Sequence, residues 1–317
     1  MIVIISIAED VSTNDVIDWI LHFEGSFFRI NSINDIHHYL TKVNNISLLP
    51  NKPENNIESV WYRRMPSREI PSLTAVNNNK DILSFYYSEQ QALLAAVYTL
   101  IEDKKWLNHW SNSSPGKVHQ LHIASNCGLN IPKTRIITSK EELIKFYNDT
   151  NRDLIIKPIQ DMVPIQLGNE YYFQYTKQIR KKDIDNLTNE FFPCLFQEYI
   201  DKNLEVRIFY IDNNFFSMAI CSTFDKQTKE DFRRYNDKYP NRVIPYKLPS
   251  TIEKKLHLFM QEMKLNCGSI DMILDNSGDY YFLEVNPVGQ FGMISYPCNY
   301  YLEREIANFL LNNKKHE

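Results

Sequence analysis

Gly268-Ser-Ile-Asp-Met-Ile-Leu-Asp-Asn-Ser-Gly-Asp-Tyr-Tyr-Phe-Leu-Glu-Val-Asn-Pro287 carries two apolar runs on either side of a Ser-Gly pair. Such a pattern predicts a β-hairpin. Glu284 and Asn286 are two residues apart, so on a strand they share one face. A turn centred on Ser277-Gly278 sets Asp271 directly opposite Glu284. Two carboxylates and one amide oxygen then converge on a small patch. Oxygen-only ligands suit a hard cation, and Mg²⁺ held by carboxylates normally also holds substrate phosphates. The alternative is a hairpin with a solvated acidic face. Against it, Ile270–Leu274 and Tyr280–Val285 read as strands buried on at least one face. Charges embedded in such runs are costly unless paired or bound to metal.

The rest of the composition narrows the class. With 317 residues, 43% of them hydrophobic and 13% aromatic, the chain is globular and long enough for two or three lobes. A formal net charge of −4 gives no case for nucleic-acid binding. There are 8 glycines and no GxxxxGK or GxGxxG, which argues against a P-loop or Rossmann cradle. The five cysteines, Cys127, Cys194, Cys221, Cys267 and Cys298, are odd in number and lack CxxC spacing, as expected of reduced thiols. Met1–Ile7 is apolar, has no basic leader and runs straight into Glu9 and Asp10, so it reads as a first strand. No apolar run reaches membrane-spanning length. The expectation is a soluble cytoplasmic α/β protein.

Three domains are expected, at residues 1–113, 114–200 and 201–317. In the first, strands at Ile2–Ile7, Phe27–Ile30 and Ser59–Tyr62 alternate with a helix over Ser12–Phe23, capped by Ser12 or Thr13. A long helix from about Ser88 to Trp106 carries an apolar stripe of Ala92, Leu93, Ala96, Val97 and Leu100. Asn112-Ser-Ser-Pro-Gly116 reads as a linker. The middle third holds a helix over Lys117–Cys127, ended by Gly128, and a second helix over Ser139–Tyr147. Its strands fall at Ile136-Ile137, Leu154–Lys157, Tyr171–Tyr175 and Phe196–Ile200. The last third has strands at Glu205–Ile211 and Phe215–Ser222, then a polar, basic and aromatic loop. A helix over Ser250–Met263, the hairpin and a C-terminal helix over Tyr301–Leu311 follow.

Lys117, Lys157, Phe196-Gln-Glu-Tyr-Ile200, Glu205-Val-Arg207 and then Asp271, Glu284 and Asn286 stand in one order. That order resembles the ATP-grasp superfamily, from about Lys117 to Pro287. The resemblance implies an ATP-grasp fold behind an N-terminal α/β domain, with Mg²⁺ on Asp271, Glu284 and Asn286. It further implies that Lys117 and Lys157 contact ATP phosphates, as mobile point charges suited to a polyanion. Gln197, Glu198, Tyr199 and Ile200 would read and enclose adenine, Glu205 would hold the ribose hydroxyls, and Arg207 would steady the transferring phosphate. The bland alternatives are a strand-end lysine at 157, a solvated helix-start lysine at 117 and a cross-strand ion pair at Glu205 and Arg207. One departure stands out: Pro158–Gly168, where many members carry a glycine-rich phosphate loop, has one glycine.

Ser59-Val-Trp-Tyr-Arg-Arg64 and Asp231-Phe-Arg-Arg-Tyr235 resemble the graspetide ligases, the microviridin-type and grasp-with-spasm peptide maturases. These imply ATP-dependent closure of ester or amide rings in a ribosomal precursor peptide, through acylphosphates of its Asp or Glu side chains. Arg233 would clamp the reacting carboxylate, with Asp231 orienting it or the nucleophile. Arg63 and Arg64 either face the cleft or form a strand-end salt bridge. Tyr171–Lys182, mixing aromatic and basic residues, is the candidate leader-peptide segment. Homodimers in the family make the helix around Leu93 a candidate interface. Competing readings are a RimK-like carboxylate–amine ligase with another acceptor, and a non-catalytic peptide-binding module.

Overall fold

The structure, a computed structural model, describes residues 1–36, 57–66, 79–160, 165–168, 170–172, 176–221 and 241–312. Its contacts group into two compact units. One holds Met1–Ser113, Leu265–Cys267 and Pro287–Glu317; the other holds Ser114–Lys264 and Gly268–Asn286.

The first unit begins with β1 (Ile2–Ile5), α1 (Val11–His22), β2 (Phe27–Ile30), β3 (Ser59–Tyr62), α2 (Lys80–Leu100) and β4 (Lys105–Leu107). The strands pair in parallel in the order β2-β1-β3-β4. All four residues of β1 are buried, as a continuous apolar run in a parallel sheet requires. Helix α1 starts at Val11, and Ser12 and Thr13 do not cap it; their hydroxyls donate to the Asp10 carboxylate. Helix α2 departs from its expected span at both ends. Asn79 caps it by accepting the N–H groups of Asp81 and Ile82, well before Ser88. It stops at Leu100 because Lys105–Leu107 extends beside β3, with buried Trp106 donating its indole N–H to the Ile101 carbonyl at 3.0 Å. Leu93, the expected centre of an interface, packs partly buried against the same core as Leu94, Val97 and Tyr98.

The second unit runs through α3 (Lys117–Asn126), β5 (Thr134–Ser139), α4 (Lys140–Thr150), β6 (Leu154–Lys157), β7 (Ile165–Leu167), β8 (Glu170–Tyr172), β9 (Lys177–Ile179), α5 (Lys181–Asp185) and β10 (Glu190–Glu198). It continues with β11 (Lys202–Ile211), β12 (Asn214–Cys221), β13 (Arg242–Tyr246), α6 (Ser250–Glu262), β14 (Cys267–Asp275) and β15 (Tyr280–Asn286). One antiparallel sheet has the order β5-β10-β6-β9, with Leu143, Phe146, Ile179, Ile184 and Phe196 in its core. A second has the order β13-β12-β11-β14-β15. Strand β13 lies in the stretch expected to be loop, and its edge position beside β12 tolerates Pro245.

The hairpin of β14 and β15 reaches the expected register by an unexpected route. Its loop is one residue off centre: the Asp275 N–H donates to the Asp279 carbonyl, and Gly278 takes φ +92°. Met272 therefore faces Phe282, and a register shift between Asp271 and Met272 brings Asp271 opposite Glu284. One extra residue on β15 at that point is a bulge, the usual device for re-aiming a side chain. The outer edge of β15 is covered. The Val285 N–H donates to Gln120 Oε1 of α3 at 2.7 Å, and the Phe282 N–H to the Asn130 carbonyl at 2.8 Å. Behind the sheet, Phe259 of α6 packs against Phe282 in a tilted arrangement with ring centroids 4.7 Å apart.

After the hairpin come α7 (Gly292–Cys298) and α8 (Leu302–Leu310). Described residues 287–312, expected with the third domain, group with the first unit instead. The Leu310 carbonyl accepts from Ser59 Oγ at 2.7 Å, and Lys105 Nζ donates to the Phe309 carbonyl at 2.7 Å. Among the described residues no helix is long and apolar enough to cross a membrane.

Candidate active site

A cavity in the second unit collects most of the charged residues singled out above. Strand β11 supplies Lys202, Glu205 and Arg207, β14 supplies Asp271, and the bulged stretch of β15 supplies Leu283 and Glu284. Lys157 enters from the end of β6, Glu198 from the end of β10, and Tyr199 and Ile200 from the segment joining β10 to β11. Pro132, Ile155, Ile220, Met272 and Ile273 give it apolar walls. Alternation explains the choice of side chains on β11: Glu205 and Arg207 are two apart and share a face.

The polar groups are held in place. Arg207 is buried, with Nη1 3.5 Å from Asp271 Oδ1 across neighbouring strands. Glu198 Oε1 accepts the Lys133 N–H at 2.9 Å, so its carboxylate has a set direction. Lys202 Nζ lies 2.5 Å from Glu205 Oε1. Four carboxylates (Glu198, Glu205, Asp271, Glu284) thus meet three cations (Lys157, Lys202, Arg207). Among the described residues Glu284 makes no ion pair, although it stands directly opposite Asp271. Like charges facing each other across a strand pair repel. The surplus of negative charge, concentrated on opposed oxygen donors, fits a hard divalent cation.

Three expected site residues lie elsewhere. Gln197, one residue before Glu198, points to the other face of β10, where it is buried and donates from Nε2 to Thr134 Oγ1 at 2.9 Å. Lys117 begins α3 and donates from Nζ to the Gln160 carbonyl at 2.9 Å and to that of Pro158 at 3.4 Å, which ties it to the glycine-poor segment. Asn286 is the exposed last residue of β15, opposite Ser269 rather than in the cavity lining. Asp231 and Arg233 fall outside the described residues. Lys202 and Thr176 line the cavity without having been singled out. Lys202 was hidden by its spacing: three residues from Glu205, it belongs on the opposite face of a regular strand.

Residues 114–310 match the RimK-like ATP-grasp domain, and the chain belongs to that family. The parallel sheet of the first unit precedes it. Among solved structures, the macrocyclase MdnC of Microcystis aeruginosa MRC, bound with the precursor peptide MdnA, superposes with a TM-score of 0.78. It is 27% identical, over 99% of this chain and 100% of that one. A RiPP-associated ATP-grasp ligase of Chryseobacterium gregarium, in complex with ADP and a leader and core peptide, gives a TM-score of 0.80. It shares 23% identity over 99% of this chain and 97% of that one. An uncharacterised protein of Methanocaldococcus jannaschii is 28% identical over 198 residues, 60% of this chain and 44% of that protein. The chain therefore spans less than half the length of that curated relative.

Proposed function

We propose that the chain is an ATP-dependent peptide macrocyclase acting on a ribosomally made precursor. The observation that carries this is the cavity in which Asp271 and Glu284 oppose each other beside Arg207 and Lys157. Support for the peptide substrate comes from the likeness to MdnC, which extends over almost the whole chain. A core-peptide carboxylate attacks the γ-phosphorus of ATP, the bond to the β-phosphate oxygen breaks, and ADP leaves. A Ser or Thr hydroxyl or a Lys amine of the same peptide then attacks the acylphosphate carbonyl. Phosphate departs, and each ring costs the peptide one water.

The chain's own groups divide this work. Lys157 faces the phosphates, and Arg207, already oriented by Asp271, meets charge that develops on the transferring group. Glu198, Tyr199 and Ile200 border the adenine slot, and Glu205 faces the ribose. Asp271 and Glu284, with Asn286 at the strand end, would hold Mg²⁺, which when bound neutralises phosphate charge. Lys117 acts one step back, by fixing the carbonyls of Pro158 and Gln160. Arg233 clamps the core carboxylate, with Asp231 orienting it.

Incubation with ATP, Mg²⁺ and a short acidic, Thr- and Lys-bearing precursor encoded beside the chain tests the proposal by intact mass. Stepwise loss of one water per ring is expected. Mass gain from an added amino acid would instead favour a RimK-like carboxylate–amine ligase with another acceptor. Arg233→Ala is expected to slow ring closure by about two orders of magnitude while ATP binding changes little. Unimpaired cyclisation in that variant removes Arg233 from the mechanism.

A further inference from the structure

We infer that Lys202 and Glu205 form a preassembled clamp for the ribose diol, and that Lys202 sets how strongly the cavity selects a nucleotide carrying both hydroxyls. The inference rests on the nucleotide reading of the cavity and adds a residue to it. Both side chains line the cavity, their charged atoms are 2.5 Å apart, and they are 5% and 12% exposed. A pair this buried adds little net stability over apolar residues of similar volume, since desolvation offsets the attraction. Its geometry is what it supplies: the lysine holds one carboxylate oxygen and so fixes the plane of the group.

A carboxylate is an acceptor with two oxygens, and a ribose presents two neighbouring O–H donors. Their spacing suits a carboxylate whose plane is held, and a rotating one loses that advantage. Charge gives Lys202 a second role. Without it, four carboxylates would face two cations in a cavity that must admit a polyanion. Glu205 can accept hydroxyls beside the phosphates because its charge is already compensated. Lys202 is the first residue of β11, ahead of the pairing with β12 that begins at Glu205.

Calorimetric titration of the full chain with ATP and with 2′,3′-dideoxy-ATP, both with Mg²⁺, tests the clamp. The wild type should prefer ATP at least about tenfold, or about 1.4 kcal/mol. Lys202→Met should reduce that preference below about threefold, whereas Lys202→Arg, which keeps the cation, should retain most of it. A purely structural lysine would weaken both nucleotides equally and leave their ratio intact, and that result would overturn the inference. So would a wild type that binds both equally well. If Lys202→Met fails to fold, Lys202→Gln carries the same expectation. A wild type that binds neither nucleotide would remove the nucleotide reading itself, a different failure from an unchanged ratio.

Discussion

Replacing Glu284 by Gln is expected to lower ATP turnover by about three orders of magnitude while leaving the fold intact. The glutamine keeps the shape of the cross-strand pair with Asp271 and removes one charge from it. Arg207 already faces Asp271, so Glu284 carries the uncompensated negative charge of the opposed pair among the described residues. Relief of repulsion between directly opposed carboxylates should leave thermal stability unchanged or slightly raised. Loss of turnover with retained stability separates chemistry from folding. Phosphate release in parallel with a thermal melt measures both. Turnover within about threefold of wild type would mean that the cavity does not rely on a divalent cation at Glu284. The chain would then be better described as a peptide-binding ATP-grasp module.

The hairpin shows how much of such a site can be read from residues alone. Period-2 alternation and a turn centre were enough to oppose Asp271 and Glu284, and the structure opposes them. The route differs, because a displaced turn and a bulge cancel each other. Either change alone would move Glu284 to the other face of the sheet. Glu205 and Arg207 were singled out by the resemblance, and simple alternation is what put them on one face. The resemblance grouped Gln197 with Glu198 at the adenine, yet neighbours on a strand face opposite ways, and only Glu198 of the two lines the cavity. Lys202 escaped notice because regular spacing places it away from Glu205.

Longer-range features were less accessible. The fold class and the ATP-grasp order were legible because the motif residues follow one another along the chain, and residues 114–310 match that domain. The destination of the C-terminal helix was not. Leu302, Ile306, Ala307 and Leu310 mark one buried face of α8, but an amphipathic stripe does not say which core it covers. It packs in the first unit, where its last carbonyl groups meet Ser59 and Lys105. The end of α2 was misplaced because Lys105–Leu107 has no periodicity long enough to distinguish strand from helix. Only its parallel pairing with β3 decides the matter.

Arg63→Met is expected to destabilise the first unit by about 3–5 kcal/mol, the usual cost of stranding a buried charge. Arg63 does not reach outward as a free cation. Its side chain is 1% exposed, and Nε donates to Asp10 Oδ2 at 3.1 Å. Nη2 donates to Ser12 Oγ at 3.0 Å, and Nη1 to the carbonyls of Val288 and Gly289. The guanidinium also lies 5.1 Å from the centre of the Phe291 ring. One side chain thus ties the start of α1 to the segment that follows β15. The ion-pair partner is equally buried, and Arg64 adds a second cation 3.4 Å from the same oxygen. Burial tends to raise the Asp10 carboxyl, but Arg63, the hydroxyls of Ser12 and Thr13, and Arg64 together hold it below its ordinary value. A carboxyl with a depressed folded value stabilises the fold above its unfolded value and loses that contribution as pH falls through the folded one. Wild-type stability from this source should therefore decline below about pH 4, and Asp10→Asn should flatten the decline. Denaturant titrations at neutral and acidic pH measure both effects. The double variant Arg63→Met/Asp10→Asn should recover part of the loss, since it removes the stranded charge along with its partner. A single-variant loss below about 1 kcal/mol, or strictly additive effects in the double, would show that the pair is not the tie described.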